Sequence, residues 1–355
     1  MADAELSLQI HRFPLSGYVD ALRFFPPLSS FHRFVVTALY DYDTHTSSLQ
    51  LHSLTLSHLT EKDRPNLHLR SSFPYSSRIS ALSHSQSPEK PLLAASTFAG
   101  SLHFLFLDPV DVSQKSEYSI EEKSFHAGPI SGIDVLRGGA KCVTVGQDGK
   151  VNLVQMGESN ITYSKVGDTK GLSEFTAVRW GSEMEFATGG LGFGVQWWDQ
   201  RDPRGIVLQF KRPDWFRGPK SGIVHSIDIH PSRKHTCAVG ASSGTVFAWD
   251  IRQPQQPILL AGVGLDERTP SPSESEVWTV KYDTYMQLPN AGSARILPVM
   301  MSSEDGILAV LEQGVGSLEL LAEACAINSF DIDPLRPSDV ICSLDFETIC
   351  LLTRP

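Results

Sequence analysis

The sequence predicts an all-β chain whose strands gather into seven blades and close into a ring. Three observations carry this. Paired strand-like runs return along the whole chain, and in the clearest pairs a short turn containing Gly, often with Asp, separates the two members. Two of the second runs close on Trp-Asp. A tight turn between two β-rich runs is a strong local hairpin signal, because its geometry needs positive φ.

The clearest pair is Lys141-Cys-Val-Thr-Val-Gly146, the turn Gln147-Asp148-Gly149, and Lys150-Val-Asn-Leu-Val154. Phe34-Val-Val-Thr-Ala-Leu-Tyr40 into Ser48-Leu-Gln-Leu-His-Ser-Leu54 is the first copy, and Leu92-Leu-Ala-Ala-Ser96 into Ser101-Leu-His-Phe-Leu-Phe106 the next. Beyond the clearest pair, Glu185-Phe-Ala-Thr-Gly-Gly190 leads into Val195-Gln-Trp-Trp198-Asp199, and His235-Thr-Cys-Ala-Val-Gly240 into Thr245-Val-Phe-Ala-Trp249-Asp250. Val299-Met-Met-Ser-Ser303 passes through Glu304-Asp305-Gly306 into Ile307-Leu-Ala-Val-Leu311, and Val340-Ile-Cys-Ser343 leads into Thr348-Ile-Cys-Leu-Leu352. An inner strand precedes each hairpin, as in Tyr18-Val-Asp-Ala-Leu22 and Val224-His-Ser-Ile-Asp-Ile229.

Seven such units in 355 residues give a period of about 51, above the roughly 40–45 of WD repeats. The excess is assigned to polar insertions at 83–90, 109–122, 262–276 and 283–294. Trp198-Asp199 and Trp249-Asp250 are the dipeptide that names those repeats. The fold expected is therefore a seven-bladed WD40-type β-propeller, one domain over 1–355. The last hairpin ends at Leu352 without an outer strand, while Glu5-Leu-Ser-Leu-Gln-Ile-His11 alternates ahead of the first blade. Residues 5–11 are expected to supply the outer strand of the last blade, removing two open edges together.

Apolar residues at 41% and charged residues at 20% fit a packed core. The formal net charge of −10 argues against direct nucleic-acid binding or an anionic membrane partner, since both begin with a basic surface. The start, Met1-Ala2-Asp3-Ala4-Glu5, is acidic where a targeting peptide carries Lys or Arg. No apolar run reaches the roughly 20 residues of a spanning helix. Membrane insertion is not expected. Five scattered cysteines without a C-x-x-C pair suggest neither a disulfide framework nor structural zinc, so a soluble protein of a reducing compartment is expected.

Catalytic motifs are not found. Gly189-Gly190-Leu191-Gly192-Phe193-Gly194 runs into a strand, whereas a dinucleotide loop opens a helix. Gly167-Asp-Thr-Lys-Gly171 lacks phosphate-loop spacing, and neither H-E-x-x-H nor G-x-S-x-G occurs. His126 stands where WD repeats keep a structural histidine, with Asp148 its expected partner; Asp305 occupies the equivalent turn later in the chain. Cys342 and Cys350 fall on successive strands and read as buried small side chains. No enzyme, cofactor or metal is expected.

The surface signals concern protein contacts. Two strands exit in Trp-Asp-x-Arg, ending at Arg201 and Arg252. Each Arg either pairs locally with a carboxylate or serves as a partner anchor, arginine being enriched at interface hot spots. The motif resembles the box by which many WD-repeat proteins dock on the adaptor of cullin-4 ubiquitin ligases. Trp215 and Arg217 sit in a basic-aromatic stretch read as a protein-binding loop. Thr269 and Ser271, each before proline, are candidate phosphorylation sites that would add about −1.5 to −2 charge each.

Beyond the generic repeat grammar the chain resembles one family. The segments are Val143-Thr-Val-Gly-Gln-Asp-Gly-Lys-Val-Asn-Leu153, Ser226-Ile-Asp-Ile-His-Pro231, Gly244-Thr-Val-Phe-Ala-Trp-Asp-Ile-Arg252, Glu276-Val-Trp-Thr-Val280, Ser302-Ser-Glu-Asp-Gly306 and Glu347-Thr-Ile-Cys-Leu-Leu-Thr-Arg354. In order and in chain length they are similar to the small WD-repeat nucleoporin, of about forty-three kilodaltons, of the Y-shaped scaffold complex in the nuclear pore. The resemblance implies a non-catalytic subunit on the short arm of that complex, at the nuclear envelope within the nucleus, supporting traffic of RNA and protein. Its partners would be other Y-complex nucleoporins; a cullin-4 adaptor is the competing partner. Strands 101–106, 150–154 and 307–311 lack the closing Trp, so some blades are expected to rest on apolar packing alone.

Overall fold

A computed structural model describes residues 7–26, 33–55, 64–85, 91–157, 160–192, 194–210, 222–253, 255–261, 272–285, 295–345 and 347–355. They form 28 strands in seven antiparallel sheets of four. Each inner strand packs against the inner strands of two neighbours, and that of the seventh sheet packs against that of the first, so the sheets are the blades of a closed propeller. The seven hairpins expected from the sequence are the second and third strands of the blades. In blade three the pair is Lys141–Gly146 and Lys150–Met156, turned at Gly149 with φ 76°.

A blade is buried on both faces, which explains why second strands read as unbroken runs of small and apolar residues. Leu92–Thr97 of blade two is buried at every position. The core is divided among the gaps between blades. Val143, Val145, Val151 and Leu153 of blade three meet Phe175, Val178, Phe186 and Trp198 of blade four. The neighbouring Trp197 points the other way, against Ile227, Cys237 and Trp249 of blade five. Burying each such side chain stabilises the ring by about 1.5–3 kcal/mol. Where a gap is narrowest a glycine is required: a Cβ on Gly189 would stand 2.3 Å from Val224 Cγ1 of the next blade.

The inner strands are Tyr18–Phe24, Ile79–His84, Ile130–Val135, Phe175–Trp180, Val224–Ile229, Val277–Tyr282 and Ile327–Ile332. All seven shift register at the same place, for example between Val19 and Ala21 and between Ile327 and Ser329. This shared bulge lets one strand present a polar side chain to the ring axis and still pack both neighbouring gaps.

The last blade takes three strands from the C-terminal end, Ile327–Ile332, Asp339–Leu344 and Thr348–Thr353, and its outer strand from the N-terminal end. That outer strand is Gln9–Pro14, reaching further along the chain than the expected 5–11, of which residues 5 and 6 lie outside the described residues. The correction has a packing reason. Leu8 and Ile10 lie against the gap between blades six and seven, while Phe13 and Leu15 reach the gap between blades seven and one, and Leu15 N–H donates to Glu347 O at 2.8 Å. A proline at the strand's end is tolerated because the strand has a free outer edge.

The polar stretch 109–122 is also corrected: it contains Gln114–Ile120, the outer strand of blade two. An outer strand turns one side to water, so its composition resembles that of a loop. Within 262–276 and 283–294, residues 262–271 and 286–294 lie outside the described residues. Their flanks Ser273 and Asp283 are buried anchors, 1% and 0% exposed.

Candidate interaction faces and the axial charge ring

Strand direction assigns every loop to one of two faces. The inner strands begin on the same face as the turns between second and third strands, since Tyr18 lies opposite Tyr40 and Asp41 opposite Thr46. This is the turn face. Third strands exit on the opposite face, which places both Trp-Asp-x-Arg motifs there.

Arg201 folds back on its own motif: Nε donates to Asp199 Oδ1 at 2.8 Å and Nη2 to Asp199 Oδ2 at 2.7 Å, with Glu185 Oε1 at 3.3 Å. Arg252 repeats the arrangement on Asp250 at 2.9 and 2.6 Å. In both motifs the hydrogen bonds from the Arg side chain hold the Asp below the ordinary carboxylate range. The arginines are solvent-exposed but locally paired. Trp198 fills the gap to blade three and donates Nε1–H to Thr188 Oγ1 at 2.8 Å; Trp249 is buried against Phe210 with ring centroids 4.3 Å apart. Trp215 and Arg217 lie outside the described residues, as do Thr269 and Ser271.

His126 and Asp148 are bonded, Nδ1 to Oδ1 at 2.9 Å. A carboxylate only accepts, so Nδ1 carries the proton and Nε2 accepts from Thr144 Oγ1 at 2.9 Å and Asn152 Nδ2 at 3.1 Å. Burial disfavours the Asp148 charge, yet the bonds from His126, Ala127 N and Lys150 N outweigh it and hold the carboxyl well below its usual range. Blade six builds the same latch without a histidine: Ser273 and Ser303 donate to Asp305 Oδ1 at 2.7 and 2.5 Å, and Glu274 N to Oδ2 at 3.2 Å. Blades three and six lack the closing Trp, but they are held by polar latches as well as by apolar packing, which corrects the expectation of packing alone. Cys342 and Cys350 stand opposite each other and are fully buried.

The ring axis carries charges that no single segment of the sequence reveals. The fifth residue counted from the first bulge residue of each inner strand is Arg23, Ser83, Asp134, Arg179, Asp228, Lys281 and Asp331, in blade order. Charge alternates around the ring, with serine filling the one odd place. Arg179 bridges Asp134 at 3.3 Å and Asp228 at 3.2 Å, Lys281 reaches Asp331 at 2.5 Å, and Ser83 donates to Asp134 at 3.2 Å. Each aspartate also accepts a backbone N–H from the next blade: Asp134 from Trp180 at 2.8 Å, Asp228 from Tyr282 at 2.9 Å, Asp331 from Phe24 at 2.9 Å. Burial opposes ionisation of Asp331, but Lys281 and Arg23 overcome it and keep its carboxyl below the usual range. The signal was one residue per blade, visible only with the inner strands aligned.

Among the described residues no three His, Cys, Asp or Glu side chains are grouped to hold a metal ion. The arrangement offers two faces and a rim on a charge-locked ring.

Comparison with known proteins agrees with the length of the chain. No family model matches the chain. It is 51% identical over 359 aligned positions to the nuclear pore complex protein NUP43 of Arabidopsis thaliana, covering 98% of both chains. It is also 26% identical over 159 positions to nucleoporin Nup43 of Mus musculus and of Homo sapiens, covering 45% of this chain and 37% of each of theirs. With seven four-stranded blades closed end to end and near-complete coverage at that identity, the chain belongs to the NUP43 family of nuclear pore complex proteins.

Proposed function

We propose that this protein is a non-catalytic scaffold subunit of the nuclear pore, held in the outer-ring Y-complex by protein–protein contacts and supporting nucleocytoplasmic transport of RNA and protein. The observation that carries the reading is the 51% identity across 98% of the chain to a protein named for the nuclear pore complex. The ring supports it physically. Its faces are held rigid by buried ion pairs and by a shared last blade, and a stable assembly needs only about 800 Å² from each partner. The short arm of the complex is the proposed point of attachment, with other Y-complex nucleoporins as neighbours.

The docking of Arg201 and Arg252 onto their own aspartates gives no support to an adaptor-binding role. A fluorescent fusion of the full chain tests the proposal. A continuous nuclear-rim signal is expected; a uniform cytosolic signal contradicts it.

A further inference from the structure

The turn face of blades one and two carries an aromatic platform gathered around Arg78. Arg78 stands over Tyr40 at 4.7 Å, Tyr18 at 5.1 Å, Tyr42 at 5.5 Å and Phe98 at 5.9 Å from the ring centroids. Its guanidinium is fixed by Asp20, with Nε 2.9 Å from both carboxylate oxygens. Tyr18 and Tyr42 meet edge to face at 5.9 Å, and Tyr40 and Tyr42 at 4.9 Å. The platform is therefore preorganised, and its outer members stay open: Tyr42 is 52% exposed and Phe98 47%. Half-exposed aromatic rings around an arginine in a fixed position are what interfaces use as anchors.

Charge says what kind of partner fits. Asp41 and Asp43 flank Tyr42 in the chain, and Asp345 of blade seven is linked to Tyr18 through Asn328, which donates to Tyr18 OH at 2.7 Å and to Asp345 at 3.3 Å. The platform's own cation, Arg78, is already engaged with Asp20. Arg78 covers the ring faces it stands over, so an incoming ammonium or guanidinium group is drawn by the bordering carboxylates and lays its alkyl stem on the exposed parts of Tyr42 and Phe98.

We propose that this platform is a docking surface for a lysine- or arginine-bearing segment of a neighbouring scaffold protein. The proposal rests on the scaffold role argued above and adds to it a face and a partner chemistry.

The test is affinity purification of the full chain from nuclear envelopes, followed by a carbodiimide cross-linker that joins a carboxylate to a lysine in contact. Three forms are compared: wild type, Tyr42→Ser with Phe98→Ser, and Asp43→Lys with Asp345→Lys. The expected result is cross-links from Asp43 or Asp345 to lysines of co-purified nucleoporins, with recovery of those proteins reduced about tenfold in both variants. The substituted side chains are exposed, so melting midpoints matching wild type confirm intact rings. Unchanged recovery in both variants, or cross-links confined to the opposite face, overturns the docking surface and leaves the scaffold role standing. Cross-links joining two copies of this chain overturn it in favour of self-association. Failure of wild type to recover any scaffold nucleoporin overturns both.

Discussion

Ile10 lies directly opposite Leu352, so a residue near the beginning of the chain completes a ladder begun by one near its end. The register runs unbroken from Gln9 with Thr353 to Pro14 with Thr348. Nothing covalent closes the ring; this single strand pairing joins its two ends, and the inner strands and axial charges then hold the junction between blades seven and one.

Removal of residues 1–14 is expected to strip Leu8, Ile10 and Phe13 from two inter-blade gaps and to bare the edge of Thr348–Thr353. The truncated chain should melt about 10 °C or more below the full chain, as followed by circular dichroism. Leu352→Ala, at a fully buried position, should cost about 2–5 kcal/mol in a denaturant titration.

Asp331 joins three partners at the seam between first and last blades: Lys281, the Phe24 N–H and, through the field at the axis, Arg23. Asp331→Ala leaves two cations unbalanced and a backbone donor unpaired, and should destabilise the protein by about 3–5 kcal/mol. Asp331→Asn retains an acceptor for Phe24 and should recover part of that loss. Equal stabilities for the three proteins would show that the axial charges do not hold the ring.

Gly189→Ala drives a methyl group to within 2.3 Å of Val224 and should destabilise by about 1–3 kcal/mol. Adding Val224→Ala should restore part of the stability, because the clash lies between those two side chains; a double variant no better than the sum of the singles would place the strain elsewhere.

Acid should weaken the fold before its carboxylates titrate. Burial lowers the imidazoles of His52 and His230 from 6.5 to about 4, so both stay neutral in the folded ring while the unfolded chain takes up protons near 6.5. The unfolded state binds more protons between those values, and stability is lost as pH falls through that window. Each histidine should contribute about 1–2 kcal/mol of that loss between pH 7 and pH 5. His52→Gln should flatten the slope of melting midpoint against pH.

Much of the fold was legible because second and third strands are buried on both sides and their turns need glycine, as at Lys141–Gly146, Gly149 and Lys150–Met156. Outer strands were not. Gln114–Ile120 is exposed along most of its length, so its composition is that of a polar loop. The end strand was found but placed too early, because the alternation from Leu8 to Phe13 does not mark its own start. The His126–Asp148 bond was anticipated because His126 stands where WD repeats keep a structural histidine, and both ends belong to one blade. The axial ring and the platform under Arg78 were not, because their members come from different blades and meet only when the ring closes.

Recovery of the tagged full chain from nuclear envelopes, with its partners identified by mass spectrometry, tests the central claim most directly. Co-purification with other Y-complex nucleoporins, lost when residues 1–14 are removed, is the result expected of a closed ring that serves as a scaffold part. Recovery without any of those nucleoporins, or undiminished recovery with the truncated chain, would contradict it.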